Sequence, residues 1–290
     1  MAQWVLGIIG GSGLYDIPGL EKGREDAIDT PWGSPSGALR RGRLSGVELV
    51  FLPRHGPGHR LTPSAVPYRA NIDALKRAGV TDVLSFSACG SLQAAYAPGE
   101  FVAVDQFIDR TFARPKSFFG PGLVAHVSMA KPVCARLSAL GADALAEIGA
   151  RVHRGGTYLA MEGPQFSTLA ESQLYRQWGC DVIGMTNMPE AKLAREAELP
   201  YATFAMVTDY DCWHEEEEDV SVSNVLEVLS ANAAAAQRAI TALCQRLSKI
   251  DRTPSPQAIE TGLDYAIVTA PSARDPELVA KLDAIAGRVL

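Results

Sequence analysis

Short, continuous apolar stretches recur along the chain and stop at glycine, proline or polar residues. They fall at 4–10, 47–52, 83–86, 101–104, 157–161 and 201–207. Runs this short, without polar alternation, fit strands buried on both faces of a largely parallel sheet. Between them the spacing changes. Ile72, Leu75 and Ala78 repeat at helical intervals from Pro67 to Ala78, and Gly79 supplies the usual residue just past a helix end. Thr168 and Glu171 stand at capping-box spacing ahead of Leu169 to Trp178. Asn224 and Glu227 do the same ahead of a long helix reaching about Leu247. Strands alternating with helices imply an α/β fold.

At 290 residues the chain has room for about two average domains or one α/β domain of roughly 250 residues or more. No internal repeat or low-complexity linker divides it. The expectation is therefore a single domain over 1–290, with a C-terminal tail from about 251, where Asp251-Arg252-Thr253-Pro254-Ser255-Pro256 reads as a loop. Apolar residues make up 47% and charged residues 21%, an ordinary globular balance that argues against disorder. A net charge of -6 argues against a general grip on nucleic acid or an anionic membrane, while leaving room for a local anion site. Five scattered cysteines without a Cys-x-x-Cys pair read as reduced thiols in a cytoplasmic protein with no zinc site. Neither an export signal nor a run of about 18 apolar residues is found, so no membrane insertion is expected.

The candidate chemistry lies where strands end. Gly10-Gly11-Ser12-Gly13 follows the first strand and could turn several backbone N–H groups and one hydroxyl toward an anion; a plain structural turn has the same composition. It is not the dinucleotide fingerprint, since Asp16 stands where the third glycine belongs. Pro53-Arg54-His55-Gly56 could present a bidentate guanidinium fork and an imidazole donor to phosphate, or form a solvated basic turn. Ser87-Ala88-Cys89-Gly90-Ser91 is small and hydroxyl-bearing, suited to a ligand or to close packing. In Met161-Glu162-Gly163-Pro164-Gln165-Phe166-Ser167, Phe166 could stack on a flat ring and Glu162 could accept from sugar hydroxyls; a core aromatic and a surface acid are the plainer reading. Gly184-Met185-Thr186 offers backbone donors and a hydroxyl, or an ordinary turn. Asp209 and Asp211 could bind the edge of a base, one of them protonated, or be simply solvated. The acidic run at 215–219 lacks the histidine pattern of a metal site.

Taken together, these motifs carry a resemblance. Gly-Gly-Ser-Gly-Leu at 10–14, Pro-Arg-His-Gly at 53–56, Ala-Cys-Gly-Ser-Leu at 88–92, Asp-Gln-Phe-Ile-Asp-Arg-Thr at 105–111, Met-Glu-Gly-Pro-Gln-Phe-Ser at 161–167 and Thr-Asp-Tyr-Asp-Cys-Trp at 208–213 resemble, in order and spacing, the methylthioadenosine phosphorylases of the purine nucleoside phosphorylase superfamily. The resemblance spans nearly the whole chain. It implies one α/β domain with a central mixed β-sheet flanked by helices, and assembly as a homotrimer. The implied reaction is phosphorolysis of 5'-methylthioadenosine to adenine and 5-methylthioribose 1-phosphate, with phosphate as co-substrate and no cofactor or metal. It assigns phosphate to Ser12, Arg54, His55, Ser87, Ala88 and Thr186, and the ribose to Met185. Asp209 and Asp211 would act as the catalytic acids at adenine N7 and the exocyclic amine, beside Phe166. Val222, Val225 and Leu226 would form the methylthio pocket, and His126 would reach a neighbouring subunit's site. Two positions depart from the pattern of the animal enzymes, with Gly184 in place of asparagine and Ser87 in place of threonine. The rival readings are a phosphorylase of 6-oxopurine nucleosides or methylthioinosine, and a nucleoside-binding protein without catalysis.

Overall fold

The computed structural model describes residues 3–214 and 222–290; the side chains of Ser12 and of 222–226 lie outside the described residues. Among the described residues, eleven strands form one mixed sheet. In chain order they are β1 (Val5–Gly10), β2 (Glu21–Asp26), β3 (Leu39–Leu44), β4 (Val47–Pro53), β5 (Asp82–Ser91), β6 (Phe101–Val104), β7 (Gln106–Arg110), β8 (Val152–Arg154), β9 (Thr157–Met161), β10 (Val182–Gly184) and β11 (Tyr201–Asp209). The helices are α1 (Tyr68–Arg77), α2 (Ala135–Glu147), α3 (Leu169–Gln177), α4 (Asn187–Glu196), α5 (Val222–Leu247), α6 (Pro276–Lys281) and α7 (Asp283–Ala286).

Each apolar run read from the sequence lies in a strand, because these segments are buried on both sheet faces. Alternate residues of one run enter opposite cores. Leu6, Ile8, Leu49 and Phe51 join the cluster covered by α2 and α5, whereas Ile9, Val50 and Leu52 join the cluster covered by α1 and α4. Helix α1 ends at Arg77, two residues before Gly79, which takes a left-handed conformation. Helix α3 carries the full Thr168–Glu171 capping box. Helix α5 ends at Leu247 as expected but begins at Val222, so Asn224 lies inside its first turn rather than capping it. Strand β2 escaped the apolar pattern because all of Glu21–Asp26 is polar or glycine and largely exposed at the sheet edge. Beyond α5 the chain returns to the body. Leu263, Leu282 and Ile285 enter the core covered by α1 and α4, Arg252 pairs with the buried Asp82, and Arg288 pairs with Glu198.

What positions the site is a fork in the sheet. Strands β1, β4, β5 and β11 are parallel, so Gly10, Pro53, Ser91 and Asp209 end at one edge. Strand β5 pairs with β1 only over Asp82–Ser85, then with the antiparallel β10 at Gly90 and Ser91. Between these ladders, on that side, residues 86–89 have no strand partner. Main-chain and side-chain groups of Ser87 and Ala88 therefore lie at a topological switch, where open α/β sheets bind ligands.

Candidate active site

The first loop is tied to the second strand end by the Arg54 N–H, which donates to Gly10 O at 3.1 Å. Helix α5 braces it, Gln237 donating to Gly13 O at 2.6 Å and Asn232 to Val207 O at 2.9 Å. These contacts bring Gly10–Gly13, Arg54, the end of β11 and α5 to the same edge.

Arg54 does not present the expected fork. Its guanidinium is buried, with Nε donating to Glu190 Oε2 at 2.8 Å and Nη2 to Glu190 Oε1 at 3.0 Å. Nη2 also donates to Ser85 Oγ at 2.6 Å, and Nη1 to Phe86 O at 2.9 Å. The bidentate edge is thus filled by Glu190, and one Nη1 hydrogen remains. Glu190 Oε1 accepts further bonds from Ser85 and Tyr201, at 2.9 and 2.8 Å. Glu190 gave no signal in the sequence, being one acid within a helix, 136 residues from its partner.

His55 departs from its expected role as a donor as well. Its Nδ1 lies 2.9 Å from Leu61 O, which only accepts, so Nδ1 carries the proton and Nε2 is the acceptor. Burial, followed by the Arg54 charge, lowers its pKa to about 4, keeping the ring neutral. It stacks on His59 at 4.2 Å.

Ser87 and Ala88 lie in the gap of the fork. Among the described residues the Ser87 hydroxyl is buried without a hydrogen-bond partner. Met185 and Thr186 return alongside them, since a Cβ on Gly184 would lie 3.2 Å from Ala88 O. Arg114 fixes that turn, its Nη1 donating to Met185 O at 2.6 Å and Met188 O at 2.7 Å. Arg114 also pairs with Glu162 at 3.1 Å. The Glu162 carboxylate takes Ser64 Oγ–H and the N–H groups of Phe112 and Ala113 too, bonds that hold its pKa at about 2 against burial. Glu162 is therefore a loop clamp rather than a free acceptor for sugar hydroxyls. No motif disclosed Arg114.

The two aspartates meet over Gly90. A Cβ there would stand 2.8 Å from Asp209 Oδ1 and 3.3 Å from Asp211 Cβ, so only glycine admits the pair. Asp209 Oδ1 accepts the Asp211 N–H at 2.9 Å. Thr208 Oγ stands 2.7 Å from Asp209 Oδ2 and 3.1 Å from Cys89 O. Its single proton serves an ionised Asp209, or turns to Cys89 O and lets a protonated Asp209 donate to it. Either state of the acid is accommodated. Asp211 adopts a left-handed φ of 54° and is buried, with Oδ2 unpartnered. Strain and an unmet buried acceptor together mark a binding position. Burial raises both carboxyl pKa values; Ser172 and Ser167 oppose this at Asp211, and Thr208 and the Asp211 N–H at Asp209.

Phe166 is half exposed beside Ser167, whose carbonyl oxygen accepts from Cys212 Sγ at 3.4 Å, so its loop borders the aspartates. His126 is exposed, on a segment whose backbone N–H reaches Ala266 O at 2.9 Å. The side chains of Ser12, Val222, Val225 and Leu226 lie outside the described residues. Among the described residues no group of three His, Cys, Asp or Glu side chains forms a metal site, and no helix is long and apolar enough to cross a membrane.

Comparison with known proteins gives a consistent match. The family model described as Phosphorylase superfamily matches residues 5–245. A protein of Cereibacter sphaeroides named S-methyl-5'-thioadenosine phosphorylase is 60% identical over 99% of this chain and 98% of its own length. The crystal structure of a methylthioadenosine phosphorylase from an antarctic soil metagenomic library superposes with a TM-score of 0.91 at 47% identity, covering 98% of this chain and 99% of that one. A mutant adenosine/methylthioadenosine phosphorylase of Schistosoma mansoni, solved with methylthioadenosine, matches with a TM-score of 0.83 at 37% identity, covering 90% and 96%.

Proposed function

The chain belongs to the phosphorylase superfamily, and from that premise we propose that it catalyses phosphorolysis of 5'-methylthioadenosine to adenine and 5-methylthioribose 1-phosphate. The carrying observation is the fork of the sheet, which sets two buried carboxyls with raised pKa values at the end of β11 and the unpartnered Ser87 hydroxyl on the adjoining β5. A phosphate oxygen attacks C1' as the N9–C1' bond breaks, and the bonding pair leaves with the purine. The phosphate charge stabilises the cationic sugar that develops between them. Asp209, whose pKa is raised by burial, supplies or shares the proton at N7, making adenine a better leaving group. Asp211 Oδ2 accepts from the exocyclic amine. Ser87, Ala88 and Thr186 line the phosphate subsite with Ser12. Arg54 contributes its remaining Nη1 hydrogen, and His55 Nε2 accepts from the hydroxyl of hydrogen phosphate. Met185 faces the ribose and Phe166 the base, while Val222, Val225 and Leu226 receive the methylthio group. No step draws on a cofactor.

Assembly as a homotrimer, with His126 entering a neighbouring site, is supported by apolar side chains left at the surface, Phe112, Leu169 and Trp178 among them. The free, buried thiols of Cys89, Cys134, Cys180 and Cys244 support a reducing, cytoplasmic setting. A second reading, preference for 6-oxopurine nucleosides or methylthioinosine, draws on the raised pKa of Asp211, since a protonated carboxyl would donate to a carbonyl oxygen. The test is turnover of methylthioadenosine, adenosine, inosine and methylthioinosine with and without phosphate. Phosphate-dependent adenine release, fastest from methylthioadenosine, is expected. Faster turnover of the oxopurines selects the second reading, and saturable binding without turnover removes both.

A further inference from the structure

Tyr158, on β9, has no role in the scheme above, yet its hydroxyl stands inside the fork. The side chain is fully buried, its ring 6.0 Å from that of Phe107. A Cβ on Gly184 would coincide with the Tyr158 hydroxyl and lie 2.8 Å from Cζ, so the absence of a side chain at 184 is what makes room for the phenol. The Tyr158 and Ser87 hydroxyls are both buried without a hydrogen-bond partner. Two such unmet groups side by side are uncommon in a folded core and call for a polar occupant.

The polar neighbours give the arrangement a direction. Burial raises the Tyr158 pKa to about 12, while the Ser87 side chain and the Thr186 backbone N–H pull against it. The Thr186 N–H can only donate, so a bond between the two would make the phenol oxygen the acceptor. The phenol proton would then be directed to Ser87 Oγ, and the Ser87 proton to a third group. A chain of this polarity ends on a donor, which suits an anion and strengthens as each bond polarises the next.

We propose that Tyr158 is a positioning residue of the phosphate subsite. Accepting from Thr186 N–H and donating to Ser87 Oγ, it fixes the Ser87 proton on bound phosphate, and Gly184 provides the space for it to do so. The inference rests on the phosphorolysis reading and deepens it.

The test is steady-state kinetics of the full chain, titrating phosphate and methylthioadenosine separately. Tyr158→Phe is expected to raise the KM for phosphate about five- to tenfold, the worth of one neutral hydrogen bond, and to leave the KM for methylthioadenosine within about twofold. The double variant with Ser87→Ala is expected to be no worse than Ser87→Ala alone, because both remove the same donor. If Tyr158→Phe does not fold, Gly184→Ala, which drives the same hydroxyl out of place, is expected to show the same phosphate-selective loss. An unchanged KM for phosphate, an equal rise for both substrates, or multiplying losses in the double variant overturns the inference while the parent's adenine release keeps the proposed function. No phosphate-dependent release from the parent removes the proposed function and this inference with it.

Discussion

The Arg54–Glu190 cluster and the mouth of the fork lie at the same sheet edge, both buried, and differ in how their polar groups are met. In the first, a charge pair is surrounded by Ser85, Tyr201 and Phe86 O, and nearly every donor and acceptor is used. In the second, Ser87 Oγ, Tyr158 OH and Asp211 Oδ2 are buried without a hydrogen-bond partner among the described residues. A saturated network defines geometry, whereas unmet groups define what a ligand must bring. Perturbed charge alone does not separate the two: Glu190 outweighs burial and raises the Arg54 pKa, while burial raises that of Asp209.

Substitutions on the two sides should therefore fail in different currencies. The largest effect is expected from Asp209→Asn, which removes the proton donor and should lower kcat/KM by roughly two to four orders of magnitude with the thermal midpoint nearly unmoved. Glu190→Ala should do the converse. It strands the buried Arg54 charge and should cost about 3–5 kcal/mol of stability, read from urea unfolding. A Glu190 variant as stable as the parent would erase the distinction. Next in size, Asp211→Asn should shift preference toward 6-oxopurines by about ten- to a hundredfold, measured as the ratio of methylthioinosine to methylthioadenosine turnover; an unchanged ratio removes Asp211 from the base edge.

The smallest effect is in pH. Both aspartates have folded pKa values raised by burial, so between the ordinary carboxylate range and those values the native state binds more protons than the unfolded chain. Stability then falls as pH rises through that window and stays lowered at neutral pH. Denaturant unfolding of Asp209→Asn and Asp211→Asn should show variants at least as stable as the parent at neutral pH, the margin closing toward about pH 4. A margin that widens on acidification would mean that the carboxylates are stabilised as anions.

Much of this was legible in the chain. The buried strands β1, β4, β6 and β11 announce themselves as apolar runs, and the chemistry-bearing loops follow strands. What stayed hidden was long-range pairing. Arg54 meets Glu190 across 136 residues and Arg114 meets Glu162 across 48, and no local period records either. Reading Arg54 as a phosphate fork and Glu162 as a free acceptor followed from seeing only their neighbours in sequence. Tyr158 was hidden for another reason: in a strand of Thr-Tyr-Leu-Ala-Met it reads as core, and only the missing side chain at Gly184 shows where its hydroxyl goes.

The central claim is that one opening in the sheet holds anion, sugar and base together. A crystal structure with sulfate and adenine bound tests it most directly. The account expects sulfate among Ser87, Ala88 and Thr186, with adenine N7 at Asp209 and its amino group on Asp211 Oδ2. Sulfate bound away from the 86–89 gap, or adenine seated away from both aspartates, would contradict it.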